Sequence, residues 1–510
     1  MTTRHPTIEQ RVRSLAPERL AGIRRGIEKE SLRSLAAGGL ALTPHPDALG
    51  SALMHPHITT DFSESQLELI TGVHRGVDDC LDELREIHQF VYRNIGDELL
   101  WVGSMPCGLP ADETIPIARY GTSNIGRAKS VYRNGLSHRY GRRMQTISGI
   151  HYNWSLPGLQ SDDYFALIRN FRRHSFLLLV LFGASPAVCG TFVEGRPHGL
   201  QALRGGTLGL PFATSLRMGR LGYQSDAQSS LAVSYNGLDS YAASLQDALT
   251  RPLPQYEAIG LRNPGGEYNQ LATTLLQIEN EFYATIRPKR VIHPGERPLH
   301  ALRERGVEYI EVRCLDLDPF QGIGIDAPTM RFIDAFLLHC LLADSPPDTP
   351  SENATLARNQ ELAAGRGREP GLRLQVGGRD EPLLSCGMAL VAELAPIAAA
   401  LDDVHGGSDY AHAIDAARAG LRDPSRLPSA RVLQAMTRDH DGSYVQFIRE
   451  RSVRAREELL ALPWPAQRDA HYRAEAAASV REQAELEARD GVPFEEFRRQ
   501  YVSPQRLAVP

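Results

Sequence analysis

Cysteine is scarce in this chain and never paired at close spacing. Cys80, Cys107, Cys189, Cys314, Cys340 and Cys386 are scattered over 510 residues without a CxxC. That spacing excludes a zinc ribbon or a CxxC redox motif and suits thiols kept reduced in the cytosol. Long apolar runs are missing as well. The longest, Phe176 to Phe182, falls far short of the ~20 residues that span a bilayer. The N-terminal MTTRHPTIEQRVRSL lacks the apolar segment of a signal peptide. A soluble, cytoplasmic protein without a membrane partner is expected. There is no basic excess: 56 Lys and Arg stand against 61 Asp and Glu, a net charge of -5. A nucleic-acid partner calls for the opposite balance. Motifs of common chemistries are absent too, with no GxSxG elbow, no HExxH helix and no GxGxxG after a strand. Gly121 to Ala128 (GTSNIGRA) has the GxxxxG spacing of a P-loop but not its Lys-Ser/Thr ending, so it is not one. It remains a Gly/Ser-rich loop leading to Arg127, Lys129, Tyr132 and Arg133, able to cradle an anion.

What is present is ordinary globular composition, 42% hydrophobic and 23% charged, carrying unusual strand faces. In Val307 to Arg313 (VEYIEVR), period-two alternation puts Tyr309, Glu311 and Arg313 on one face and Ile310 and Val312 on the other. A carboxylate is a hard oxygen ligand suited to Mg²⁺, and Arg is the planar fork that grips phosphate. One such face could be merely solvated, but the pattern recurs. Glu28 and Glu30 share a face in Gly26 to Ser31 (GIEKES), two like charges that need a cation or open water between them. Ser34 to Gly39 reads as a hairpin turn, which fits an antiparallel sheet. Residues 59–70 (TTDFSESQLELI) add Asp61 beside Phe62, and Glu68 between two leucines, where an unpaired charge is costly. Asp61 and Glu68 have opposite parity, so a bulge or turn must intervene if both serve one site. In Met144 to Ser155, Gln145, His151 and Asn153 share one parity, so His151 is either a hydrogen-bonded core residue or, flanked by two amides, a metal ligand or polar substrate contact. Ile286 to Arg290 (IRPKR) is a second basic cluster, either surface or the lining of a phosphate tunnel.

Strands are expected at 24–33, 58–71, 144–156, 274–290 and 306–316. Helical spacing covers 77–100 and 162–182. SPPDTPS at 345–351 and GRGREPG at 365–371 read as loops. Beyond them the chain turns helical at 386–404, 409–421, 443–461 and 467–500. The organisation expected is a catalytic sheet-and-helix core over 1–345 with a mostly helical region, 346–510, packed on it.

Taken together, GIEKES, HPHITTDFSESQLELITGV, GDELLWVGSMPC, ARYGTSNIGRAKSVYRNGL, MQTISGIHYNWSLP, LFGASPAVC, LQIENEFYATIRPKR and GVEYIEVR resemble the proteobacterial-type glutamate–cysteine ligases. These strings run in order from about residue 22 to about 330; past 345 the likeness is looser. The resemblance implies an α+β fold akin to glutamine synthetase and the guanidino kinases, a curved, largely antiparallel sheet forming a funnel with helices outside. It implies ATP-dependent joining of the L-glutamate γ-carboxyl to the L-cysteine amine through a γ-glutamyl phosphate, the first step of glutathione synthesis. Two or three Mg²⁺ ions, or Mn²⁺, would be held by Glu28, Glu30, Asp61, Glu68, His151 and Glu311. Lys29-Glu30-Ser31 departs from the family's frequent Arg-Glu-Thr but keeps the carboxylate. Arg313 would sit on the transferring phosphoryl group, and Arg217 on the glutamate with Gln145 and Asn153. Phe62, Tyr132, Tyr223 and Tyr283 would form the cysteine side-chain pocket, with Arg133 at the substrates. A monomer under feedback inhibition by glutathione is implied. The same architecture serves ligases with a different acceptor amine, and a nucleotide-binding regulator that has lost catalysis is the alternative from another class.

Overall fold

The structure, a computed structural model, describes residues 6–222, 228, 231–293 and 295–507. At its centre lies a seven-stranded sheet in which every pairing is antiparallel. Its strands are β1 (Arg24–Ser34), β2 (Ile58–Thr60), β3 (Gln66–Ile70), β4 (Leu99–Leu100), β5 (Ile150–Ser155), β6 (Ile286–Lys289) and β7 (Tyr309–Leu315). They run in the order β2-β3-β1-β5-β7-β6, with β4 beside the end of β1. The expected turn after β1 is present: Leu35 N–H donates to Gly39, and Gly38 takes a φ of 90° that an L side chain resists.

Alternation sorts the two faces. Ile27, Leu67, Leu69, Ile150, Tyr152, Trp154, Ile286, Ile310 and Val312 all point into one buried apolar cluster. Covering that face are α1 (Val77–Asn94), the helix Ser161–His174 and α3 (Ala327–Leu342). Under the sheet Arg25 meets Asp334 at 2.9 Å with both side chains fully buried, and the Tyr152 hydroxyl donates to the same carboxylate at 2.8 Å. The opposite face carries Glu28, Glu30, Glu68, His151, Asn153, Glu311 and Arg313. Helices of the second part pack into the same core. Leu383–His405 is long and apolar enough to cross a membrane by length and composition, yet it buries Leu390, Val391, Leu394, Ile397 and Leu401 in the cluster under the sheet.

Several expected elements differ. The 58–71 segment is a hairpin, β2 and β3 joined through Asp61 to Ser65, rather than one strand. The 144–156 segment starts as a helical turn, Arg142–Gln145, so Gln145 does not share a strand face with His151 and Asn153. Of 274–290 only β6 is strand. The 162–182 helix divides at Ser175, whose hydroxyl donates back to the Arg172 carbonyl at 3.4 Å, a competition that bends helices. The last helix stops at Ala488 and resumes at Phe494, interrupted by Gly491 and Pro493.

Candidate active site

Strand register builds the polar face. Glu28 lies opposite His151 on one side and Ile70 on the other, Glu30 lies opposite Glu68, and Glu311 lies between Asn153 and Arg287. Between Val312 and Leu315 the pairing of β7 with β5 shifts register. Such bulges re-aim side chains beside active sites, and here the shifted stretch holds Arg313 and Cys314. The hairpin removes the parity problem between Asp61 and Glu68, because Asp61 sits in the turn while Glu68 returns on β3 beside Glu30.

One carboxylate oxygen each from Glu28 and Glu311 and one ring nitrogen of His151 lie within 4.8 Å of one another. His151 Nδ1 is 3.1 Å from Glu28 and 3.8 Å from Glu311, and its Nε2 is 3.7 Å from Glu30. Asn153 donates to the other Glu28 oxygen at 2.9 Å, and Gly149 N–H donates to Glu30 at 2.7 Å. Among the described residues, both oxygens of Glu311 and Nε2 of His151 are buried without a hydrogen-bond partner, although Glu311 has ion-pair neighbours. Buried polar atoms in native folds are almost always satisfied. The Glu311 carboxylate and the His151 imidazole, with the hydrogen-bonded Glu28 beside them and Glu30, Glu68 and Asp61 beyond, are donors whose chemistry fits a divalent cation.

Cations of the protein flank the other side of Glu311. Lys289 Nζ stands 3.2 Å away and Arg313 Nη1 3.1 Å away, with Arg313 also 3.4 Å from His151. Burial works against ionising Glu311, but Arg313, Lys289 and His151 outweigh it and hold its carboxyl well below the usual range. Glu30 goes the other way. Burial, then the charge of Asp61, pushes it up to about 8. Burial and the charges of Glu28, Asp61 and Glu30 raise Glu68 well above the ordinary value. The sheet therefore holds an acidic half that is unfavourable without added positive charge and a basic half at Arg313, Lys289 and Arg287.

The remaining residues singled out in the sequence fall around this centre. Phe62 and Tyr132 share a small apolar cluster with Ala128, Leu136, Leu271 and Ile278. Arg133 donates to the Asp61 carbonyl and stacks on Tyr120, 4.6 Å from its ring centre. Gln145 donates to the Tyr283 hydroxyl at 2.8 Å. Arg217 is fully buried, donating to the Arg313 carbonyl at 2.9 Å, 3.8 Å from Asp316 and against Gly149. A Cβ at residue 149 would lie 2.0 Å from its Nη2. Tyr223 lies outside the described residues.

The Gly121–Ala128 loop is not an open anion cradle. It caps α2 (Asn124–Tyr140) through Ser123, and its N–H groups already serve the chain's own carboxylates. Thr122 donates to Glu487 at 2.7 Å and Asn124 to Asp490.

Sequence reasoning missed the supports. Asp316 accepts from Ser185 at 2.6 Å and Ser215 at 2.9 Å while facing Arg217. Glu281 accepts from Arg139 and Tyr140, each at 2.8 Å, and Tyr140 packs edge-on against Tyr283. Glu281 sits in a short 3₁₀ turn, a conformation without a sequence period to reveal it.

Comparison with known proteins bears on the whole chain. The family described as glutamate-cysteine ligase matches residues 10–363. A glutamate–cysteine ligase from Saccharophagus degradans is 47% identical over 508 residues, 96% of each chain. One from Azotobacter vinelandii is 50% identical over 493 residues, 92% of this chain and 93% of that one. The crystal structure of glutamate–cysteine ligase from Francisella tularensis in complex with AMP superposes with a TM-score of 0.90 at 37% identity, covering 94% of this chain and 97% of that one.

Proposed function

The chain belongs to the glutamate–cysteine ligase family, and we propose that the acidic face of its sheet is where the family's reaction takes place. That reaction is the ATP-dependent joining of the L-glutamate γ-carboxyl to the amine of L-cysteine, the first step of glutathione biosynthesis. The observation that carries the assignment is the convergence of Glu28, His151 and Glu311 beside Arg313, each giving one ligand atom within 4.8 Å of the others.

A carboxylate is a poor acyl donor. ATP passes its γ-phosphoryl to the glutamate γ-carboxylate, giving ADP and an acyl phosphate. The cysteine amine then forms the C–N bond as the C–O bond to phosphate breaks. Such a transfer asks for positioning and charge neutralisation more than covalent help. Glu28, Glu30, Asp61, Glu68, His151 and Glu311 would hold Mg²⁺, two or three ions with Mn²⁺ able to substitute, and Mg²⁺ supplies neutralisation of phosphate charge. Arg313, fixed by Glu311 at 3.1 Å, presents its planar fork to the moving phosphoryl group. Arg217 is braced by Asp316 behind Gly149 and, with Gln145 and Asn153, orients the glutamate. Phe62, Tyr132, Arg133, Tyr223 and Tyr283 receive the acceptor.

Residues 1–345 supply this chemistry and 346–510 its packed helical support. The enzyme works in the cytoplasm as a monomer and is inhibited by glutathione, which carries the γ-glutamyl-cysteinyl unit of the product. The test is ADP release by the purified chain with ATP, Mg²⁺, glutamate and cysteine. Release that requires an amine acceptor and collapses in Arg313→Lys supports the reading; release indifferent to cysteine or to 2-aminobutyrate contradicts it.

A further inference from the structure

We propose that Lys289 is an exchanging counter-charge of the acidic face. Its ammonium holds Glu311 until a divalent cation takes the same oxygen, and then turns to the phosphates of the nucleotide. Lys289 takes this role only if Glu28, His151 and Glu311 are cation ligands, the reading on which the proposal rests.

The three cations of the IRPKR run are placed differently. Arg287 is buried and donates to the carbonyls of Asn280, at 2.9 Å, and Phe282. Arg290 donates to the carbonyls of Arg305 and Gly306. Lys289, between them, reaches toward β7 and stands 3.2 Å from Glu311 Oε1. Its backbone is fixed, because the Glu308 N–H donates to the Lys289 carbonyl at 2.9 Å and Tyr309 pairs opposite it. Pro288, tolerated because β6 is the outermost strand on its side, stiffens the chain further. The side chain is what can move, and it is half-buried at the edge of the sheet.

Each oxygen of Glu311 has its own cation. Oε2 faces Arg313 at 3.1 Å. Oε1 faces Lys289 and also lies 3.8 Å from His151 Nδ1. A cation shared between Glu311 and His151 would therefore use the oxygen that Lys289 holds, while Arg313 stays in place. The hold is loose. Lys289 lies within ion-pair distance, yet Oε1 receives no directed hydrogen bond. An ammonium and a divalent ion crowded against one oxygen repel each other. Lysine suits the exchange, since its ammonium is a compact charge on a flexible stem and binds phosphate as a point charge. The charge of Lys289 also reaches Glu28, where burial opposes ionisation and the His151 hydrogen bond and Lys289 favour it.

The arrangement couples two ligands. A bare cation must displace Lys289 with nothing to receive it, whereas a cation that arrives with a polyphosphate brings the anion to which Lys289 can turn. Metal and nucleotide thus strengthen each other's binding, as linkage requires of a shared intermediary.

The metal-stripped full chain is titrated with Mn²⁺ alone, following the EPR signal of the free ion, and by calorimetry with a non-hydrolysable ATP analogue in saturating Mn²⁺. Wild type is compared with Lys289→Met, Lys289→Gln and His151→Gln. Both Lys289 variants should bind Mn²⁺ alone more tightly, by about 5- to 30-fold, and the analogue several-fold more weakly. Opposite signs are the signature, because a structural defect weakens both. Unchanged Mn²⁺ affinity in the two Lys289 variants, or a fall in both affinities, overturns the proposal. His151→Gln separates the two levels of the argument. If it weakens Mn²⁺ binding while the Lys289 variants do not strengthen it, the counter-charge role alone fails. If Mn²⁺ binding is untouched by His151→Gln, the cation-site reading fails and this role with it.

Discussion

Replacing Glu311 by Gln keeps the shape of the side chain and removes its charge. The carboxylate is 1% exposed, with Lys289 at 3.2 Å and Arg313 at 3.1 Å. At an effective dielectric near 20, each attraction is worth roughly 5 kcal/mol before desolvation is subtracted. Cutting a buried pair by removing one partner typically costs about 3–5 kcal/mol, because the other charge is left uncompensated. Here Lys289 is 27% exposed and can turn toward water, which puts the expected loss nearer ~2–4 kcal/mol. Turnover should fall further than stability alone explains, by on the order of 10²-fold or more, since Arg313 loses its anchor and a ligand oxygen becomes an amide. Urea unfolding of the metal-free chain gives the first number and amine-dependent ADP release the second. The double variant Glu311→Gln/Lys289→Met should recover part of the stability but none of the activity. A variant that unfolds within ~0.5 kcal/mol of wild type and turns over normally would refute the reasoning.

Other consequences follow from neighbouring parts of the fold. Asp334→Ala strands the buried Arg25 guanidinium and should cost about 3–5 kcal/mol in urea unfolding, with much of it regained in Arg25→Met/Asp334→Leu; no recovery would mean that the two do not act as a pair. His55 Nδ1 accepts from the N–H groups of His57 and Ile58 at 3.0 and 3.1 Å, and burial, then His57 and His45, brings its pKa down to about 4. Protonation therefore favours the unfolded chain. The His55 contribution is complete above pH ~6.5 and is lost as pH falls toward 4, roughly 3 kcal/mol in all. His55→Asn should flatten that part of a stability–pH curve, and an unchanged slope would contradict it. Glu281→Gln and Tyr140→Phe loosen the support of Tyr283 and should raise KM for the amine acceptor several-fold while leaving KM for ATP unchanged; equal changes in both would point to a general structural defect.

Much of this was legible in the sequence because strand alternation is local. The carboxylates of β1 and β7 and the imidazole of β5 could be assigned to one face from parity alone, and register then brought them together as expected. What alternation could not supply was chain reversal. The 59–70 segment read as a strand with clashing parities, and only the turn at Asp61 to Ser65 reconciles Asp61 with Glu68. Gln145 followed the parity of His151 on paper, but the chain enters β5 from a helical turn, so its amide reaches Tyr283 instead. The GTSNIG loop looked open because its anions come from Glu487 and Asp490, hundreds of positions away. Arg217 and Asp316 are held by contacts of the same long-range kind.

Glu28, His151 and Glu311 are the residues proposed to ligate the divalent cation that serves ATP. Pulsed EPR of Mn²⁺ bound to the full chain with a non-hydrolysable ATP analogue tests that ligation directly. The expected result is a ¹⁴N hyperfine coupling from the His151 imidazole that disappears in His151→Gln. Tightly bound Mn²⁺ with no nitrogen coupling in the wild type, or with the coupling intact in that variant, would contradict it.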